Sequence, residues 1–581
     1  MHKVNWPKIA RVFFFSLLFI GLIILRLFRL GYLPHGITQD EAYYLYDAYS
    51  INQTGKDLWG NPHPLIFRST GEYKLNLTYL IAGAIDVVGL SARAARLPSA
   101  IAGLLTLLVV MSIVYRLTKN YFLSLISLVI LAFTPWHFGI SRLFYESNVA
   151  LFFLSLALLS GVNILLSLHS TLKWWILLGA STSFAAYFYG PFRYLGLFMF
   201  GLVAILSYKR SHHLPKPIFF AGLIYMLVML PISAHFFSSA GLMRLAQTAK
   251  LQRIDSELTI NENRSNCYLS TNKNPVLTKI CYLYWNKPTV ALTQTVRTTL
   301  RLLSPEYLFY TNHDSYIIPK GYSAYLSYLL PFYLLGLINF VIAISRGGRV
   351  HAYLFYTMIA SILLTASAFE LVYHRNVVGL LITAIIITLG IRDFATWLYH
   401  KRFSPLLKFV TLSFLITLAL FQTSKYLLTY YVDTSIKQPL LTKYDAPAIY
   451  DFLSAYRGYT IYDNIFFAPV YAGIYWQLDP GDFQQNARWS KPDDWGFTNA
   501  ETWHNLHFKG ADLLSLLCLK HNNPQVPLKT LLIDDATGHY QDYASYISHD
   551  FTGSLDLHAV YDLDLIYPIA KQYYPGDLCR L

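Results

Sequence analysis

Two adjacent carboxylates, Asp40 and Glu41, follow the first long apolar run of the chain and precede a tyrosine-rich stretch with Tyr43, Tyr44 and Tyr46. A carboxylate held at a membrane surface can accept a hydroxyl proton in a transition state. The same residues also fit a plain helix start, with Thr38 as N-cap and both acids in the first turn, where the helix dipole favours negative charge. Arg96, Arg142 and Arg375 stand at the edges of apolar runs. Such groups are functional candidates because placing them beside lipid is costly; the alternative is that they snorkel, or pair with Glu146 and Glu370 to fix loops. The chain has no HExxH, P-loop, GxSxG, or GxGxxG before a helix, and His35, His63, His137 and His374 are scattered. Neither metal nor nucleotide chemistry has a strong seat in these motifs.

The elements that must position these residues are membrane helices. Of 581 residues 55% are hydrophobic and only 13% charged, and the mean hydropathy is +0.38. Roughly a quarter of an ordinary soluble protein is charged, so a cytosolic globular enzyme is excluded. Apolar stretches able to cross ~30 Å of hydrocarbon fall at about 12–30, 98–116, 121–135, 147–167, 174–190, 193–208, 217–237, 322–343, 350–369, 375–391 and 405–429. The expected fold is a polytopic α-helical membrane protein of about eleven transmembrane helices. Residues 74–90 are apolar but interrupted by Lys74, Asn76 and Asp86, and read as an interfacial helix.

Residues 1–430 hold 36 Lys+Arg against 14 Asp+Glu, and residues 431–581 hold 10 against 18. With the N-terminus in the cytoplasm, Lys3, Lys8, Arg11, Arg116, Lys119, Lys173, Lys209, Arg210, Lys216, Arg346, Arg349, Arg392 and Lys401 all lie inside, as the positive-inside rule requires. Most carboxylates then fall outside, Asp393 excepted. The basic residues set topology and form no nucleic-acid-binding stripe. The predicted organisation is a membrane module over 1–431, with outer loops 31–97 and 238–320, and an extracytoplasmic domain over 432–581. The tail's strand-like runs YTIYDNIFFA, LKTLLIDDA and LHAVYDLDLIYPIA, with a helix near 444–456, predict a small α/β domain. Cys267, Cys281, Cys518 and Cys579 all fall outside, where disulfides persist. Of the three pairings four cysteines allow, Cys267 with Cys281 and Cys518 with Cys579 is expected, free thiols being the alternative.

The order of the motifs adds a resemblance. The first span, then Thr38, Asp40, Glu41, Ala42 and Tyr44, then Glu72 and Lys74, then Arg96-Leu97-Pro98-Ser99-Ala100 entering the second span, resembles the GT-C glycosyltransferases that use polyprenyl-phosphate sugars. Within these, the similarity is to the protein O-mannosyltransferase and lipid A aminoarabinose transferase superfamily. TPWHFGISRLFYESNVALFF at 134–153 and VYHRNVVGLL at 372–381 match further stretches, and YDNIFFAPVYAGIYWQLDPGDFQ resembles the outer domain of a bacterial subset. The resemblance implies a polyprenyl-phosphate-linked sugar as donor, a protein, lipid or cell-envelope glycan as acceptor, and transfer with inversion outside the cytoplasm of a multi-pass cell-membrane protein. It implies Asp40 as base, Glu41 orienting a substrate hydroxyl, and Lys74, His374, Arg375, Arg96 and Arg142 on the donor phosphate. Glu146 matches a second acid, for sugar recognition or pairing with Arg142, and Glu72 joins the substrate site. A cofactor is not strongly implied, and analogy leaves a divalent ion near Glu72 open. The family lysine is usually followed by two prolines, whereas Leu75-Asn76 stands here, which puts the path of this loop in question.

Two other classes fit a polytopic, basic-inside chain. A flippase for lipid-linked sugars predicts inverted repeats and midplane polar residues in broken helices; the polar residues here gather at loop edges. A glycan ligase or polymerase carries its long outer loop late, whereas the first loop is the informative one here. The identities of the sugar and the acceptor are not encoded in any motif of this chain.

Overall fold

The computed structural model describes residues 8–68, 73–75, 77–167, 172–211, 216–236, 238, 257–271, 274–311, 317–368, 372–401, 403–433, 443–465, 468–492, 498–508, 510–523, 529–536, 541–549, 555–573 and 579. All eleven expected spans are helical. Among the described residues nine helices are long and apolar enough to cross a membrane: Ala10–Leu27, Ala92–Thr118, Glu146–Leu166, Phe192–Lys209, Pro217–Phe236, Ser327–Ser345, Arg349–Ala366, Val377–His400 and Pro405–Val432. The remaining two, Tyr121–Phe133 and Leu172–Phe188, have 13 and 17 residues. At 1.5 Å per residue they reach only ~20 and ~25 Å. Asn120 caps the start of the first of these, and Pro135 follows its end. The Leu77–Val88 helix has 12 residues, about 18 Å, too short to span and in line with its reading as a non-crossing element.

The chain divides into two compact units, residues 1–28 with 99–428 and residues 29–98 with 429–581. In the first, the Val377–His400 helix is the most enclosed, with every residue from Val377 to Gly390 buried. A helix apolar all round is one surrounded by other helices. Small residues permit this packing, as they do in membranes generally: a Cβ on Gly390 would fall 1.9 Å from the Phe332 carbonyl oxygen, and one on Gly336 2.2 Å from that of Ile386. The helices Pro217–Phe236 and Pro405–Leu428 keep their apolar side chains largely exposed, as lipid-facing helices do. Residues of the long loop after 238 form the helices Glu257–Ser270, Pro275–Tyr284 and Lys287–Leu303, and Cys267 is bonded to Cys281. Asn274 and Asn286 cap the last two, each with proline in the first turn.

The second unit holds the first outer loop and the tail. Strands β1 (Ile66–Arg68) and β2 (Tyr73–Leu75) form an antiparallel hairpin. The tail strands are β3 (Thr460–Asp463), β4 (Arg488–Trp489), β5 (Ala500–Trp503), β6 (Leu506–His507), β7 (Thr530–Asp535), β8 (Tyr546–His549) and β9 (Asp556–Asp562). They form one mixed sheet in the order β4-β5-β6-β3-β7-β9-β8, with β3 parallel to both β6 and β7. The sheet and its flanking helices make the expected α/β domain. Two runs are strand only in part: YTIYDNIFFA supplies β3 and its Ala468 opens the helix Ala468–Tyr475, and LHAVYD lies in β9 while its continuation forms the helix Leu563–Tyr573. Cys518 is bonded to Cys579.

Candidate active site

The Gln39–Thr54 helix starts with a capping box: the Thr38 hydroxyl accepts from the Glu41 amide while Glu41 accepts from the Thr38 amide. Asp40, in the same first turn, is exposed, and Glu41 is buried. Further along, the Asp47 carboxylate accepts from the Leu58 amide, and Asp57 accepts from the Trp59 and Asn61 amides. These carboxylates order the loop after the helix.

Glu41 and Arg96 are brought together as a buried ion pair. Arg96 Nε donates to Glu41 Oε1 at 2.7 Å and Nη2 donates to Oε2 at 3.1 Å. Nη1 donates to the Leu30 and Pro34 carbonyls at 3.2 and 2.8 Å, and Nη2 to the Gly36 carbonyl at 2.7 Å. A guanidinium has five N–H donors, and these five bonds use them all. All of Arg96's donors are engaged within the protein, and Glu41 holds Arg96 and the Thr38 amide. The pair is a clamp that fixes the chain from Leu30 to Glu41 and so sets the position of Asp40.

Arg142 is also held by backbone carbonyls. It is fully buried, Nη1 donates to the Leu25 and Arg26 carbonyls at 3.0 and 2.7 Å, and Nη2 donates to the Phe28 carbonyl at 2.8 Å. Those are carbonyls at the end of the Lys8–Leu27 helix, which no intrahelical N–H satisfies. Through these bonds Arg142 caps the C-terminal end of that helix. The neighbouring motif is structural too: the Asn148 amide donates to the Ser99 carbonyl and hydroxyl at 2.8 and 2.9 Å, and the Ser99 hydroxyl donates to the Ile140 carbonyl.

His374 and Arg375 lie on a 3-10 turn, Tyr373–Arg375, just before the Val377–His400 helix, and both are partly exposed. The turn is pinned where the Tyr373 hydroxyl donates to the Thr311 carbonyl at 2.9 Å. The His374 ring stacks on Tyr145 at 5.0 Å and meets the edge of Tyr189 at 6.5 Å. Glu146, the residue after Tyr145, opens the Glu146–Leu166 helix and is half-buried. The structure thus gathers the second acid and the His/Arg turn at one place in the first unit. Lys74 is on β2 opposite Phe67. Glu72 lies outside the described residues, and with it the analogy to a divalent ion.

Sequence reasoning misses Tyr471 and Tyr475. Tyr471 is buried, and its hydroxyl donates to the Ile37 carbonyl at 2.8 Å, immediately before Thr38. Burial first, then the neighbouring Tyr475 and the charges of Glu41 and Asp40, hold its phenol well above the ordinary range. Tyr46 donates to the Leu478 carbonyl at 3.3 Å, and a Cβ on Gly473 would fall 2.4 Å from the Tyr46 ring. The signal lies in the APVYAGIYWQLD stretch, whose tyrosines and glycine acquire a role only through these contacts.

Residues 75–235 match the family model described as dolichyl-phosphate-mannose-protein mannosyltransferase. Comparison with curated proteins gives no match. Among solved structures, ArnT from Cupriavidus metallidurans in the apo state aligns with a TM-score of 0.51 at 12% identity, covering 94% of this chain and 98% of that one. The same protein bound to undecaprenyl phosphate aligns at 0.49 and 12% identity, covering 94% and 97%. The Saccharomyces cerevisiae protein O-mannosyltransferase Pmt1-Pmt2 complex bound to the sugar donor aligns at 0.30 and 15% identity, over 42% of this chain and 36% of that one. The apo ArnT alignment carries the fold assignment. This multi-pass membrane chain has the fold of that ArnT, and over residues 75–235 it is similar to the dolichyl-phosphate-mannose-protein mannosyltransferase family model.

Proposed function

We propose that this protein moves a sugar from a polyprenyl-phosphate carrier to a hydroxyl acceptor on the extracytoplasmic side of the membrane, with Asp40 as general base. The observation that carries the proposal is the division of labour between two neighbouring acids: Glu41 is buried in a complete clamp, and Asp40, one residue earlier, is exposed on a rigid helix start. A base must be held in place and reach solvent-borne substrate, and Asp40 meets both needs. In the reaction the Asp40 carboxylate accepts the acceptor's hydroxyl proton as that oxygen attacks the anomeric carbon. The bond from that carbon to the phosphate oxygen breaks, and the configuration inverts. The phosphate leaves with added negative charge, which fixed cations stabilise. Lys74, His374 and Arg375 are the cations assigned to it, by the resemblance and because the latter two sit on a pinned, partly exposed turn. Glu146 is assigned to the sugar.

The lipid-linked donor is supported by the family model, whose description names a dolichyl-phosphate sugar. The cytoplasmic N-terminus and extracytoplasmic tail rest on the basic turns, and the two cystine bridges suit an oxidising compartment. The test is transfer of radiolabel from membrane-extracted polyprenyl-phosphate sugars by the purified protein, beside Asp40→Asn and a nucleotide-sugar control. Loss of label from the lipid with the wild type alone supports the proposal. Translocation of the lipid without release of its label would instead favour a flippase.

A further inference from the structure

The Leu330–Ser345, Arg349–Ala366 and Val377–His400 helices border a cavity of about 720 Å³. It lies far from the His374 and Arg375 turn: Arg392, on its wall, stands roughly 25 Å along the helix from Arg375 at 1.5 Å per residue. That volume is within the range of small-molecule sites. Its chemistry is that of an anion site. Arg346, His351 and Arg392 line it, with Asp393 as the single carboxylate.

Asp393 neutralises Arg392, whose Nε and Nη2 both stand 2.7 Å from Oδ1, so the net positive charge of the site is that of Arg346. Oδ1 accepts from Arg392 Nε at 2.7 Å, and Oδ2 accepts from the Asn339 amide at 2.8 Å. The wall also includes Gly347 and Gly348, where the Arg349–Ala366 helix begins. Gly348 is its N-cap and has no side chain to accept from the first-turn N–H groups. An 18-residue helix beginning without a side-chain cap, beside guanidinium groups, presents N–H donors and positive potential to an anion. Gly347 has φ of +82°, which allows the tight turn that brings Arg346 and this helix start together.

The flank of the cavity is apolar and exposed. Leu334, Ile338, Val341 and Ile342 are exposed along the Leu330–Ser345 helix at helical spacing, and Ile342 also lines the cavity. Trp397, on the opposite wall, is 47% exposed, as aromatic residues at a membrane interface are. An anion site continuous with a lipid-facing apolar track matches a ligand with a charged head and a hydrocarbon tail. We propose that this cavity binds the phosphate headgroup of an anionic phospholipid, with an acyl chain along the Leu334, Ile338 and Val341 face. Basic pockets between membrane helices hold such headgroups in this way. The net positive charge of Arg346 favours a lipid of net negative charge over a zwitterionic one.

The test uses the full chain, delipidated in detergent and titrated with phosphatidylglycerol or phosphatidylcholine under native mass spectrometry. Phosphatidylglycerol is expected to be retained preferentially. Arg346→Glu, at an exposed position, should weaken that retention about fivefold or more, the factor that a single basic residue near an anionic headgroup supplies. Arg392→Gln is the second variant, and a size-exclusion profile matching the wild type shows that each is folded. Equal retention of the two lipids, or unchanged retention in both folded variants, would overturn the proposal. Displacement of the bound lipid by millimolar inorganic phosphate would assign the cavity to a soluble phosphate and overturn the lipid source.

Discussion

Replacing Arg96 by methionine removes all five donors of the clamp and leaves the buried Glu41 carboxylate without its counter-charge. The Leu30, Pro34 and Gly36 carbonyls are deprived of their side-chain partner at the same time. Both charged side chains are at most 1% exposed, so water cannot take over without opening the structure. Breaking one side of a buried pair costs about 3–5 kcal/mol. For a unit of this size, on the order of 2–4 °C per kcal/mol, the melting temperature of the second unit should fall by roughly 6–20 °C. Glu41→Gln should fall in the same range, because it leaves the Arg96 charge uncompensated. The double variant, with methionine and glutamine, should recover part of the loss, since it leaves no lone charge. The assay is thermal unfolding of the detergent-purified protein followed by tyrosine and tryptophan fluorescence. If Arg96→Met unfolds within about 1 °C of the wild type, a shift well under what one buried hydrogen bond would give, the clamp is not what holds this loop. If Glu41→Gln keeps its stability but loses turnover, Glu41 is a catalytic group after all.

Other consequences can be checked in parallel. Gly390→Ala places a methyl 1.9 Å from the Phe332 carbonyl oxygen, and separating these helices should cost about 1–3 kcal/mol, read as a lower melting temperature, whereas Gly222→Ala, with open space around it, should be neutral. Burial raises the Asp463 carboxyl to about 6 against the pull of its hydrogen bonds to Tyr450 and Ile465. A carboxyl raised in the folded state binds more protons there than in the unfolded chain, so stability of the second unit should fall as pH rises from about 4 to about 6 and then level off. Asp463→Asn should flatten that slope, its amide donating to Tyr450, whose hydroxyl can turn to the Ala468 carbonyl at 3.2 Å; a slope unchanged in this variant would show that another group titrates.

The membrane helices are legible because lipid imposes one composition on every span, and the stretches at 217–237 and 405–429 are the exposed helices Pro217–Phe236 and Pro405–Leu428. Length is less legible at 121–135, where the asparagine cap and a following proline, rather than hydropathy, decide where the helix stops. Asp40 and the capping box can be read from four consecutive residues. The fates of Arg96 and Arg142 cannot, since their partners lie 55 to 117 residues away, and an arginine at a membrane edge reads the same whether it binds phosphate or caps a helix. The Leu563–Tyr573 helix resembles a strand in sequence because its apolar residues follow directly on β9, with only Asp564 and Pro568 interrupting them as far as Ala570. Tyr471 is hidden by a separation of 434 residues from Ile37.

One carboxylate and one class of donor stand at the centre of the proposed reaction. Asp40→Asn, purified beside the wild type, should unfold at the same temperature and retain the lipid-linked sugar. Its release of radiolabel from that lipid should fall by ~10²-fold or more, the range of a missing general base. Full activity in a folded Asp40→Asn protein, or label released equally from a nucleotide sugar, would contradict the account.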